Sequence, residues 1–323
     1  MRIYPQPLLD SVEEAIVGLL SGRRPTLSGR LLEDHGCRQQ LLHVCRTHAI
    51  HQLVAGLLRE NAVSPTEPLR HLLWDLEADR DQRVALLLTA DAQLCALSVA
   101  FEGRSIPFCL LKGVALVHTL YCATPLRRCF GDIDILVPEE CYDNAINVCL
   151  GLGYRLAAHK LDTEAIRVHG HKLCFEGATA GMCSIDVHFR PVGKKLFDRT
   201  TCMTTGLFQE YSSSCHIDGR LVVIPAPELH LAYLCVHLSL QHHLASLNWL
   251  YDIRQFAAVS PSFDWNLFVR LARMCRIERA VWLSIHAART NLDAPIPPGV
   301  EQELRPLGRN WVATNWFASQ LDA

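Results

Sequence analysis

Along the first hundred residues, apolar positions recur every three to four places, the spacing of one buried stripe on a helix. "LDSVEEAIVGLL", "LLHVCRTHAIHQLVAGLLRE" and "EPLRHLLWDLEADRDQRVALLL" all carry it, with the loop "RRPTLSG" after the first. The texture changes at Arg104. "SIPFCLL" reads as a short strand ending at Lys112-Gly113, "VALVHTLY" as a helix, and "GDIDILV" as a strand. "EECYDNAINVCLGLG" reads as a helix with a glycine stop and "YRLAA" as a further strand. "HKLCFEG" and "CSIDVHFRP" follow as two strands joined through "ATAGM", a hairpin turn. After "VIPAPELHLAYL" helical spacing returns and runs to the end, broken at "APIPPG". The pattern predicts an α+β protein in three parts: an N-terminal helical region over 1–103, a mixed α/β core over 104–225 and a C-terminal helical domain over 226–323.

Composition narrows the class. Half of the 323 residues are hydrophobic and a fifth are charged, which is ordinary globular usage. A formal net charge of −2 gives no global attraction for nucleic acid or an anionic membrane, so any polyanion site must be local. No aromatic–basic strip is present, and an RNA-directed transferase is disfavoured on that ground; no nucleic-acid partner is expected. The most apolar run, Val84 to Phe101, carries Asp91 at its centre with Arg83 and Glu102 at its flanks. It fits a buried amphipathic helix better than a span of about twenty apolar residues, so no membrane partner is expected. Fourteen scattered cysteines form no CxxC pair, and "MRIYPQPLLD" has no signal-peptide character. Reduced thiols in a cytoplasmic protein are the expectation.

The chemistry concentrates in "CFGDIDILVPEE". On a strand, Asp132 and Asp134 point to one face while Ile133 and Ile135 point into the core. Two carboxylates side by side repel unless a cation lies between them, and a pair of Mg²⁺ ions about 3.5–4 Å apart demands this arrangement. "DLEADRD" shows the bland alternative, acids scattered round a solvated helix. "CSIDVHF" offers a third acid, Asp186, in the same apolar–acid–apolar setting. Upstream, the strand-to-helix turn at Lys112-Gly113 can present backbone N–H groups and a lysine to a phosphate. Arg127 and Arg128 precede the acidic strand and can add charge-assisted contacts.

Taken together, "LLKGVAL…Y…R…GDIDILV…HGHKLCF…IDVHFRP" resembles the nucleotidyltransferases of the DNA polymerase beta superfamily. It looks most like the bacterial group of uncharacterised nucleotidyltransferases, in which Lys-Gly stands where the superfamily more often has Gly-Ser. "HLSLQHHLASLNWLYDIRQF" resembles that group's helical region, and the likeness covers roughly residues 95 to 260. The resemblance implies a nucleotidyltransferase-type mixed sheet flanked by helical regions. It implies that Asp132, Asp134 and Asp186 bind Mg²⁺ (or Mn²⁺), with Asp186 also a candidate base. Lys112, Gly113 and Arg128 would hold the triphosphate of an NTP, with ATP the expected one, and the departure from Gly-Ser bears on how they do so. The implied reaction moves an NMP to a hydroxyl of a small molecule, peptide or protein and releases pyrophosphate. The competing class is a catalytically silent nucleotide-binding or antitoxin-like module, against which the presence of all three acids argues.

Other residues carry two readings. His171 and His188 are nucleotide-site candidates by resemblance and strand-end hydrogen-bonding groups otherwise. His237, His242 and His243 either line an acceptor pocket, bind a metal, or simply pack and solvate. Asn248, Trp249 and Asp252 face the cleft or hold helices together. Arg270, Arg273, Arg276 and Arg279 recur at helical spacing, as a solvated face does.

Overall fold

The computed structural model describes residues 9–23, 32–61, 66–158, 163–179, 181–193, 201–259 and 262–306. Its centre is a five-stranded mixed sheet in the order β1-β2-β5-β4-β3, with β1 at Cys109–Leu111, β2 at Asp132–Leu136, β3 at Tyr154–Leu156, β4 at Lys172–Gly177 and β5 at Ser184–His188. β1 runs antiparallel to β2, β2 parallel to β5, and β4 antiparallel to both β5 and β3. A parallel pair needs a long crossover, and the helix Tyr142–Gly151 with the β3–β4 hairpin supplies it. Every strand read in the sequence is present, β1 and β3 only as three-residue pieces.

Alternation divides the sheet's residues between two cores. Leu110, Ile133, Ile135, Leu173, Phe175, Ile185 and Val187 face one side and pack under the helices Arg80–Glu102 and Tyr142–Gly151. Cys109, Leu111 and Leu136 face the other and join a core shared by the first helices of the chain and the last. The apolar run of Val84 to Phe101 therefore has one buried stripe, Ala90, Leu94, Leu97 and Phe101, while Val84, Leu88 and Val99 stay exposed. By length and composition alone Glu67–Glu102 is long enough to cross a membrane; here the helix bends at 77–79 and covers the sheet.

Three elements lie outside the pattern reading, among them a short helix at Thr205–Glu210. A short helix spans Thr163–His169. A second, two-stranded sheet pairs β6 at Ser212–Ile217 with β7 at Arg220–Pro225 through a turn at Asp218 and Gly219, both at positive φ. The C-terminal helices run through Pro227–Val236, Leu247–Val259, Trp265–Met274, Glu278–Leu292 and Pro298–Leu304. The helical spacing read beyond 306 lies outside the described residues. Arg270, Arg273, Arg276 and Arg279 are all exposed, and Arg273 reaches Glu303 at 3.0 Å.

One buried ion pair ties the C-terminal helices to the approach of β2. Arg128 donates from Nε to both oxygens of Asp252 at 2.8 and 2.9 Å, and Tyr121 Oη donates to the same carboxylate at 2.8 Å. Burial pushes the Asp252 carboxyl up, and the guanidinium and phenol pull it back. Neither partner is more than 4% exposed. Removing one charge leaves the other buried and uncompensated, so Asp252→Ala should cost about 3–5 kcal/mol in chemical denaturation. The double change Arg128→Met/Asp252→Leu should cost clearly less than Asp252→Ala alone.

His230 stands near the same pair. Burial, with the Arg128 charge behind it, pushes its imidazole down to about 3. The folded state therefore binds fewer protons than the unfolded chain, whose histidines titrate near 6.5. Stability from this group is complete above about 6.5 and is lost as pH falls toward 3. His230→Phe, which preserves the ring packed 5.7 Å from Phe256, should flatten that loss by about 2 kcal/mol between pH 6.5 and 4.5, read from denaturation midpoints.

Candidate active site

Parallel pairing sets the two acidic strands in register, Asp132 against Ser184 and Asp134 against Asp186. Asp134 and Asp186 are thus neighbours on one sheet face, only 3% and 4% exposed. Bare carboxylates at that depth would cost several kcal/mol each, and the structure compensates both with lysines. Lys112 Nζ donates to Asp134 Oδ1 at 2.5 Å, and Lys172 Nζ donates to Asp186 Oδ2. His188 Nε2 meets the same Asp134 oxygen at 2.8 Å. Burial raises the Asp134 carboxyl, but Lys112 and then His188 outweigh it and hold the group well below its usual range. Burial and the Lys112 charge push His188 down, which favours the neutral imidazole. A neutral His188 that donates from Nε2 leaves Nδ1 as a buried acceptor, and Nδ1 has no partner among the described residues.

Local backbone aims Lys112. It sits at φ 47° between β1 and the helix Lys112–His118, a left-handed conformation that costs a lysine on the order of 1–3 kcal/mol. Gly113 follows because a Cβ there would lie 2.8 Å from Phe130 Cβ. The glycine lets the helix start against the residue that leads into Gly131 and Asp132. Asp132 is only half-buried, and no cation partner for it is recorded among the described residues. Burial, then the charges of Asp134 and Asp186, push its carboxyl up to about 6.

The face opposite the carboxylates comes from the C-terminal helices. Tyr233 is fully buried with a phenol that has no hydrogen-bond partner among the described residues, within electrostatic reach of Asp134 and Asp186. His237–Gln241 forms a single π-helical turn, a feature frequent at functional sites. His243 and Leu244 follow at φ 49° and 61°, two consecutive residues in the left-handed region. His237 Nδ1 bonds Gln241 Oε1 at 2.6 Å. His171, pushed down to about 3 by burial with the Lys172 and Lys112 charges behind it, lies 5.6 Å from the His188 ring. Gly193 fits between His171 and Gln241, each about 3.1 Å from where its Cβ would stand.

The structure therefore gathers Lys112, Asp132, Asp134, His171, Asp186 and His188 into one cleft. Gly113 supports it through packing. Arg128 is placed elsewhere, its guanidinium taken up by Asp252 and the Cys129 carbonyl. Asn248 Nδ2 also reaches the Cys129 carbonyl, at 3.4 Å. Lys172 is the functional candidate the sequence reading missed, although its register opposite His188 follows once β4 is paired with β5. Ligand atoms of Asp134, Asp186 and His188 lie within 4.8 Å of one another, close enough to share a divalent cation. Two carboxylates with an imidazole suit Mn²⁺; the oxygen-rich set of Asp132, Asp134 and Asp186 suits Mg²⁺.

A cavity of about 690 Å³ lies at the other end of β1 and β2. Ile106, Phe108, Leu136, Phe208 and Val222 line it, and its Glu102 pairs with its own Arg220 at 3.4 Å. With that one acid already paired, the cavity has no cluster of acids to hold a cation. The acid cluster is where phosphoryl chemistry can be supported.

Comparison with curated proteins gives no match. Among solved structures, the solution structure of the antibiotic-resistance factor ANT(2'')-Ia aligns with a TM-score of 0.41 at 16% identity, over 63% of this chain and 96% of that one. An antigenic nucleotidyltransferase-like protein from Paracoccidioides brasiliensis aligns with a TM-score of 0.41 at 12% identity, over 67% and 92%. A family model described as uncharacterised nucleotidyltransferase matches residues 37–293. That match takes in the sheet, both lysines, all three acids and most of the helices on either side, and the chain belongs to this nucleotidyltransferase family.

Proposed function

We propose that the protein moves a nucleoside monophosphate from an NTP, ATP by expectation, to a hydroxyl of a small molecule, peptide or protein in a bacterial cytoplasm. The single observation that carries this reading is the in-register pair of Asp134 and Asp186, buried and each held by a lysine. Asp132, Asp134 and Asp186 would hold the divalent ion, and His188 would fix the carboxylate of Asp134. When bound, Mg²⁺ or Mn²⁺ supplies charge stabilisation to the transferring phosphoryl group and acidifies the acceptor hydroxyl. Lys112 and Lys172 offer their ammonium groups to the polyphosphate, an anion that competes with the carboxylates they hold in this structure. The acceptor oxygen forms a bond to the α-phosphorus while the α–β bridging bond breaks, and the electron pair leaves with pyrophosphate. The acceptor proton passes to a carboxylate of the cluster, by our reading Asp186.

One observation favours a second reading, a catalytically silent nucleotide-binding module. Lys112 and Lys172 already pair with the two buried acids of the cleft, so each has a counter-charge without a metal. The fourteen cysteines, none in a disulfide, support the cytoplasmic assignment under either reading.

Two lysines do not balance three acids and a triphosphate, so a divalent cation is needed to offset the remaining repulsion. ATP should bind in calorimetry with Mg²⁺ present and fail to bind measurably in EDTA; equal affinity in both would remove the metal from the reading. Asp186→Asn keeps size and hydrogen bonding while deleting the charge. It should leave Mg-ATP binding within a few-fold of wild type, with nucleotidyl transfer or slow ATP hydrolysis falling about 10²–10⁴-fold. Unchanged turnover would end the assignment of Asp186, and absence of any turnover in the wild type across acceptor extracts would favour the silent module.

A further inference from the structure

The cleft has two chemically different ends. One holds Lys112 and Lys172 with the carboxylates. The other is built of rings from the C-terminal helices. The His242 ring centroid lies 3.9 Å from that of Trp249, and the His237 ring lies 4.4 Å from His242 and 5.0 Å from Trp249. His242 and Trp249 are only half-buried, so part of each ring is accessible, whereas His237 is buried and tied to Gln241. This is not the arrangement of a metal site. Among the described residues the one cluster that can hold a cation is Asp134, Asp186 and His188. The rings carry no charge: burial, with Lys112 behind it, pushes His237 well down and His242 to about 4. The same dependence on Lys112, Lys172 and Asp134 places the rings within electrostatic reach of the acid cluster. The π-helical turn and the two left-handed residues after it hold His242 against Trp249 at the cost of backbone strain.

A ligand that fits both ends has a flat, uncharged aromatic part joined to a polyanion. We propose that the His242–Trp249 pair is the stacking seat for the base of the incoming nucleotide, an assignment that rests on the nucleotidyltransferase reading above. The Gln241 amide oxygen is committed to His237, and the accessible parts of the two rings offer stacking surface. Selection at this seat therefore follows stacking area: both purine nucleotides bind alike, and pyrimidine nucleotides bind more weakly.

The test is calorimetric, with the full chain and Mg²⁺, using ATP, CTP and inorganic tripolyphosphate as probes against wild type, His242→Ala, Trp249→Ala and Trp249→Phe. Each alanine variant should weaken ATP about ten-fold, leave tripolyphosphate within two-fold, and bring ATP and CTP closer together. Trp249→Phe should restore most of the ATP affinity. ATP affinity unchanged in His242→Ala and Trp249→Ala overturns the seat, as does an equal loss for ATP and tripolyphosphate, which would mean that the rings only shape the cleft. Should Trp249→Ala fail to fold, His242→Ala and Trp249→Phe carry the same comparison. A wild-type protein that binds tripolyphosphate but discriminates no base rejects the seat and keeps the phosphate site; one that binds neither ATP nor tripolyphosphate rejects both readings.

Discussion

The buried carboxylate of Asp134 is the constraint to which most of the cleft answers. At 3% exposure it requires a counter-charge. Lys112 supplies one from the end of the neighbouring strand, and its backbone is turned into a left-handed conformation to aim it. That turn demands a glycine next, because the helix start must pass Phe130 at a distance that leaves no room for a Cβ. The residue so crowded leads straight back into the strand bearing the two acids. Strain at Lys112, the glycine after it and the acid pair are thus one feature with three visible parts. Asp186 repeats the solution with Lys172, placed across the β4–β5 pair rather than along the β1–β2 pair.

Compensation by lysine also explains how acids so crowded avoid neutralising one another. Like charges at close range ordinarily raise one pKa at the other's expense. Here Asp134, with a lysine and a histidine, is driven far down, while Asp132, which has neither, is pushed up to about 6 by burial and then by the charges of Asp134 and Asp186. The trio is unequal: two carboxylates are buried and paired with lysines, and the third, Asp132, is partly exposed.

Pattern reading reached the sheet because alternation is strict there: the buried isoleucines of β2 and β5 and the acids between them are separated by period two alone. It singled out Asp132, Asp134 and Asp186 by their setting but could not name the lysines that pair with Asp134 and Asp186, because pairing is decided by strand register. Arg128 illustrates the limit. An arginine just before an acidic strand is equally suited to a phosphate or to a carboxylate more than a hundred residues away, and only the tertiary fold shows that Asp252 takes it. The β6–β7 hairpin was legible in Asp218-Gly219, a strong turn signal, yet its first strand opens with three exposed serines and lacks the apolar alternation that marks the others. The short helix at Thr163–His169 carries too few residues for a 3.6-residue period to register.

The shared core of the first and last helices gives these local features their reach. Leu111 and Leu136 belong to that core while Leu110 and Ile135 belong to the other, so the acid-bearing sheet is clamped from both faces. The Arg128–Asp252–Tyr121 network fixes the C-terminal helices against the approach to β2, four residues before Asp132. Asp252 and Trp249 are one turn apart on the same helix, Leu247–Val259. The buried ion pair that anchors that helix therefore also sets the position of the ring face relative to the lysines. A site that reads a flat ring at one end and compensates charge at the other needs a fixed span between the two. In this chain that span depends on an arginine that sequence context alone would have assigned to the ligand.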